Sequence, residues 1–162
     1  EYDCLALISG PEPQRSIFEN IILTQLQNFT GKTLLIRGLP ENETALPRVN
    51  SNTTIKNHLT AADLNIAIEQ SACIICRSGY TSVMDLVLLQ KKALLVATPA
   101  QTEQEYLAAY LQQQHLFPSM EQACFNLNKA VELCGNFTFT QPVFNNKQYK
   151  KIIQDWISGL SA

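Results

Sequence analysis

The stretch ACIICRSGYTSVMDLVLLQ at residues 72–90, followed by KKALLVATP at 91–99, decides the fold. Its first five residues are apolar with two β-branched members, which predicts a buried strand over 72–76. Arg77-Ser78-Gly79 breaks the run. From Gly79 to Gln90 the apolar positions Val83, Leu86, Val87 and Leu89 recur at helical spacing, with Ser78 placed to cap the helix. A second apolar run, Ala93 to Ala97, is the next strand. Two strands joined by a helix in so few residues predict a parallel βαβ unit.

The same alternation extends outward. Residues 3–9 (DCLALIS) form a strand closed by Gly10-Pro11-Glu12-Pro13, and Ile17, Phe18, Ile21, Ile22 and Leu26 predict a helix over 13–28. Residues 33–36 are a strand that Arg37-Gly38 ends, residues 39–52 a polar loop with two prolines, and residues 55–59 a third strand. Thr60-x-x-Asp63 opens a helix through Gln70 and Thr102-x-x-Glu105 opens another, both as capping boxes. Beyond Phe117 the reading is a helix over 119–134, a loop over 135–146 and an amphipathic helix over 147–160 carrying Tyr149, Ile152, Ile153, Trp156 and Ile157. The fold class expected is α/β, a Rossmann-like doubly wound parallel sheet with helices on both faces. Its 162 residues suit one domain, 1–162, with its core in 3–134.

Composition narrows the function. The net charge of −2 offers no general attraction to a nucleic-acid backbone. No apolar run reaches the ~18 residues of a membrane span, and no signal peptide opens the chain. Charged residues are 16% of the chain, below the usual ~25%, which suggests surface that is covered in a larger assembly. Five cysteines, an odd number, with Cys4, Cys73 and Cys76 in strand-like runs, fit free thiols in a reducing cytoplasm. Cys73-Ile-Ile-Cys76 has metal or redox spacing but no second pair. The four Asn-x-Ser/Thr sequons, at Asn28, Asn42, Asn52 and Asn136, are read as chance in an Asn- and Thr-rich chain.

In an open parallel sheet, ligands bind at the carboxyl ends of the strands. Three of the four arginines, Arg15, Arg37 and Arg77, fall at or just after such ends, which suggests an anionic ligand. The alternative is three exposed loop charges. The turns at Gly10 to Arg15, including Gln14, and at Arg77 to Tyr80 each lead into a helix whose first N–H groups and dipole favour a phosphate. Neither is a Walker loop or a GxGxxG motif. Ser78, Ser82 and Asp85 share one stripe of their helix, where a carboxylate can bind a ribose diol; alternatively Ser78 caps and Asp85 favours the dipole. Gln104 and Glu105 sit where they can meet sugar hydroxyls or complete a cap. His58, at the third strand's end, is a candidate ligand-facing group. No Asp-x-Asp pair, HExxH or Gly-x-Ser-x-Gly is present, so neither a metal, a cofactor nor hydrolase chemistry is implied.

Cys76-Arg77-Ser78-Gly79, Thr81 to Leu86, ALLVATP and Glu103-Gln104-Glu105-Tyr106 together resemble the C-terminal, nucleotide-sugar-binding half of GT-B glycosyltransferases, the peptidoglycan lipid-intermediate N-acetylglucosaminyltransferase type most closely. The resemblance covers residues 3–117. It implies a metal-independent enzyme that transfers a hexosyl group from a nucleotide-diphosphate sugar, a UDP-sugar, to an acceptor hydroxyl. Gly10 and its turn would face the diphosphate or sugar, Ser78 and Gly79 would hold the diphosphate, Asp85 would bind the ribose in place of a Glu, and Gln104 and Glu105 would contact the sugar. His58 and Leu59 would lie against the uracil ring. The family's pattern places the acceptor site and general base in an N-terminal domain, so the expectation is a piece inactive alone that needs that domain or a partner subunit. The start at Glu1 rather than Met suggests a cut piece. Any membrane association of this otherwise cytoplasmic protein would come through the missing half. A UDP-sugar epimerase half and a non-catalytic Rossmann-like binding module remain as rivals.

Overall fold

The computed structural model describes residues 1–40, 45–140 and 142. Five strands, β1 (Tyr2–Leu7), β2 (Thr33–Ile36), β3 (Thr53–Lys56), β4 (Ser71–Cys76) and β5 (Ala93–Leu95), pair in the order β3-β2-β1-β4-β5, and every pairing is parallel. The helices are α1 (Gln14–Leu26), α2 (Ala61–Glu69), α3 (Tyr80–Leu88), α4 (Thr102–Gln113) and α5 (Leu127–Asn136), with a single 3-10 turn at Gln122–Cys124. This is the Rossmann-like α/β sheet that the sequence predicts.

Because successive strand residues face opposite ways, each strand feeds two cores. On one face Cys4, Ala6, Leu35, Cys73, Ile75 and Leu94 meet Phe18, Ile22 and Leu26 of α1 and Leu127, Ala130 and Cys134 of α5. On the other, Leu5, Leu34, Ile74, Cys76 and Leu95 meet Ala67 and Ile68 of α2, Val83, Leu86 and Val87 of α3, and Leu111 of α4. Strands covered on both sides must be apolar nearly throughout, as these are. Cys73 and Cys76 consequently lie in opposite cores, so the CxxC spacing cannot bring two thiols to one metal or one disulfide.

The chain leaves β1 in one direction, to build β2 and β3, and returns to β4 on the other side of β1. The order reverses between β1 and β4, and in sheets of this kind the carboxyl ends at such a reversal are where a ligand crevice lies. Both β1 and β4 run into helices at that edge, α1 and α3, which pack on opposite faces.

Most elements differ from expectation by one or two end residues, and two differ for a reason visible in the packing. The third strand lies at 53–56 rather than 55–59, because Asn50 anchors the chain earlier: its amide donates to Leu26 O and Phe29 O at 2.6 and 2.7 Å and its Oδ1 accepts from Thr53 Oγ1. The helix expected over 119–134 divides. Residues 118–120 instead extend the sheet beside β5, with Leu95 N donating to Pro118 O and Met120 N to Leu95 O, and α5 begins only after Asn126, whose side chain accepts from Lys129 N at 2.9 Å. α5 then runs to Asn136, into the segment read as loop. The helix predicted over 147–160 lies outside the described residues.

Four of the five cysteines are buried and only Cys124 is exposed. Burial pushes the Cys76 thiol up to about 12. The native chain is therefore expected to react quickly at one thiol with a charged disulfide reagent, and at five after denaturation; fast labelling of two or more in the native state contradicts this packing.

Candidate functional site

The three arginines at the strand ends are not exposed loop charges, and they are not free for a ligand either. Arg15 donates from Nε to Glu12 Oε1 at 2.6 Å, from Nη1 to Glu19 Oε2 at 2.8 Å and to Arg37 O at 3.0 Å, and from Nη2 to Ser16 Oγ. Arg37 pairs through Nε with Glu19 Oε1 and donates from Nη1 to Asn57 Oδ1 at 2.9 Å. One buried carboxylate thus bridges two nearly buried guanidiniums. Glu19 was not among the sequence candidates, although its i,i+4 spacing from Arg15 on an amphipathic helix is a readable signal.

Arg77 is only 2% exposed. Its Nη1 donates to Val96 O and Ala97 O at 3.3 and 3.1 Å, its Nη2 to Gln14 O and Gln122 Oε1 at 3.1 and 2.6 Å, and its guanidinium lies 4.3 Å from the centre of the Phe18 ring. Burial pushes its pKa down to about 10, so it stays protonated at neutral pH. The expectation of direct contact between this guanidinium and a ligand is therefore corrected: the side chain lies beneath the edge, joining the end of β5 to the start of α1. Gln122 completes the joint by donating to Gln14 Oε1 at 2.9 Å. Nothing in its local sequence marks Gln122, which sits in a segment read as helix.

The two helix starts differ. At α1 two of the first three helical donors are taken, Arg15 N by Pro11 O and Ser16 N by the Glu12 carboxylate at 3.2 Å, and Ile17 N then bonds Pro13 O. The hydrogen bond from Arg15, with help from Ser16, holds the Glu12 carboxyl below its usual range, so Glu12 serves the helix dipole as an internal anion. Gly10, at φ +105°, lets the turn pass against Thr98, whose buried Oγ1 lies 3.7 Å from where a Cβ would stand and has no hydrogen-bond partner among the described residues. Gly38 has a purely steric explanation: a Cβ there would meet Ile8 O at 2.3 Å.

The start of α3 is open. Ser78 does not cap it; fully buried, its Oγ donates to Gln104 O at 2.8 Å, and Gly79 is the cap residue with no side chain to offer. Among the described residues, the amides of Tyr80, Thr81 and Ser82 have no hydrogen-bond acceptor, and a Cβ on Gly79 would find nothing within 4 Å. Three unpaired donors at the positive end of a helix, over open space, form an anion-binding geometry. Ser82 is half-buried and Asp85 is exposed, one turn further along.

Thr102 and Glu105 do not form a capping box, since the cap residue of α4 is Gln101. Glu105 instead accepts from Ala100 N at 3.0 Å, and Gln104 accepts from Thr98 N at 3.0 Å while donating to Gln101. These bonds shape the loop after β5. Glu105 also lines a cleft of about 400 Å³ between α4 and residues 119–123. His58 lies two residues past β3 and is exposed, and Leu59 packs on the α2–α3 core. Neither is bonded to the crevice residues.

Residues 16–151 match the sequence model of the Glycosyltransferase family 28 C-terminal domain, and the chain belongs to that family. No curated protein sequence matches it significantly. Among solved structures it is similar to the glycotransferase of kitacinnamycin (14% identity, TM-score 0.63, covering 83% of this chain and 35% of the other). It is also similar to the glycosyltransferase SnogD from Streptomyces nogalater (10%, 0.62, 82% and 34%) and to MurG of Acinetobacter baumannii (15%, 0.60, 82% and 42%). At such identities the likeness is one of fold, that of a GT-B half, and this chain spans about a third to two fifths of the length of those proteins.

The buried Arg15–Glu19–Arg37 group gives a direct test of this arrangement. Glu19→Gln removes the buried carboxylate that Arg15 and Arg37 share, leaving Arg15 only the exposed Glu12, and should destabilise the protein by about 3–5 kcal/mol in urea denaturation. A loss below ~1 kcal/mol would show that the three side chains are solvated rather than packed as described.

Proposed function

We propose that this chain is the donor-binding half of a glycosyltransferase that takes a nucleotide-diphosphate sugar, with UDP as the nucleotide. The observation that carries the reading is the open start of α3 at the switch point of a sheet that belongs to the Glycosyltransferase family 28 C-terminal domain. The diphosphate would lie over Gly79, receiving N–H bonds from Tyr80, Thr81 and Ser82. Asp85, exposed on the same helix, would accept from the ribose hydroxyls, through water where its reach falls short. His58 and Leu59 would flank the base, and the loop shaped by Gln104 and Glu105, with Gly10 opposite, would hold the sugar.

Transfer breaks the bond between the anomeric carbon and the diphosphate oxygen while an acceptor hydroxyl attacks, so negative charge grows on the departing diphosphate. Fixed N–H dipoles aimed at that charge lower the barrier because they need no reorganisation as it develops. The reading requires no metal for this step. The base that deprotonates the acceptor, and the acceptor site itself, would come from an N-terminal domain or a partner subunit. The low charge of this chain suits such a covered surface.

Gly79→Val separates function from folding. Gly79 has φ −74° and ψ 142°, which any residue adopts, and space surrounds it, so valine there should leave thermal stability nearly unchanged. It should weaken UDP binding at least tenfold in calorimetric titration, by standing where the diphosphate lies. Asp85→Ala should weaken it by a similar factor. If UDP at saturating concentration fails to raise the melting temperature of the unaltered protein, or the valine variant binds as well, the proposed site is wrong.

A further inference from the structure

Of the three guanidiniums at this edge, two have carboxylate partners and one does not. Arg15 and Arg37 share Glu19, and Arg15 also holds Glu12. Arg77, the most buried of the three, is bonded only to neutral groups: three backbone carbonyls, the amide oxygen of Gln122 and the face of the Phe18 ring. Its Nε has no partner among the described residues. A buried charge is costly unless something of opposite sign offsets it, and proteins ordinarily supply a carboxylate. Here the side chain that accepts from the guanidinium, among the described residues, is a glutamine.

The location gives this omission a meaning. Arg77 directly precedes Ser78 and Gly79, and its guanidinium joins Val96–Ala97, which lead into the Thr98 turn, to Gln14, which follows the Gly10 turn. We propose that Arg77 is a positioning residue whose unneutralised charge is reserved for the ligand's diphosphate, and that Gln122 keeps it unneutralised by holding the guanidinium with an uncharged acceptor. This rests on the donor-site reading above. The diphosphate then acts as a counter-charge through low-dielectric protein, without touching the guanidinium, and ligand binding relieves the cost of burying it.

Gln122→Glu tests the idea because it preserves size and an acceptor oxygen while adding the missing carboxylate; Gln14 can turn its amide to donate to it. The measured quantity is the ratio of UDP to uridine affinity, UDP by calorimetry and uridine by NMR titration, since uridine carries no phosphate. Glutamate at 122 should cut that ratio roughly tenfold, mostly by weakening UDP. Gln122→Met, similar in size and uncharged, should leave the ratio at its original value even where it loosens both ligands. If glutamate leaves the ratio unchanged, or methionine lowers it as much as glutamate does, the charge is not reserved and Gln122 is structural only. If the unaltered protein binds no UDP at all, the donor-site reading itself fails, which is a different result.

Discussion

A single side chain, Arg77, joins three parts of the chain that are distant in sequence. Its donors reach the carbonyls of Val96 and Ala97 just past β5, the first residue of α1 and the Gln122 side chain, and its flat face covers Phe18 at the top of a core. A parallel sheet leaves the carbonyls at its carboxyl edge with no neighbouring strand to bond them, and where they are buried beneath that edge they must find other donors. Guanidinium, with five N–H groups in a fixed plane, can serve several at once, where lysine would offer only a point charge on a flexible stem. The geometry of the crevice depends on this joint, because the turns at Gly10 and Thr98 are held against one another from below.

The electrostatics of the edge follow from where carboxylates are present. At α1, Glu12 and Glu19 neutralise the cations and the helix start, leaving that side closed to a further anion. At α3 no side chain among the described residues does the same, so the donors of Tyr80, Thr81 and Ser82 are left unpaired there. The two helix starts look equivalent in sequence, each a glycine-containing turn between a strand and a helix, yet only one is available.

How much of this could be read in advance depended on whether the signal was local. Strand identity, helix phase and parallel order were legible because ACIIC, ALLVA and DCLALIS are short apolar runs separated by helical periodicity, and burial on both faces requires that pattern. The β3 boundary was not, because it is set by Asn50 reaching back to Leu26 and Phe29, a contact across the fold. The division of residues 119–134 was similarly hidden, since residues 118–120 are drawn to the β5 edge by backbone pairing that no side-chain pattern records. At the site, the turn at Gly79 joins β4 to α3 as the break after ACIIC indicates. The arginines were correctly placed at the edge but their partners were invisible, as charge in a sequence does not say which way a side chain turns.

The pairing of residues 118–120 with β5 also determines which borders of the sheet are left bare. That segment shields the β5 side, and among the described residues the remaining rim is β3, four residues long, with Thr54 and Lys56 exposed on it. A rim so short, carrying an ammonium group that repels its own copy, is a poor template for strand-on-strand stacking. The protein is thereby protected against self-association along its backbone, whatever covers its helices.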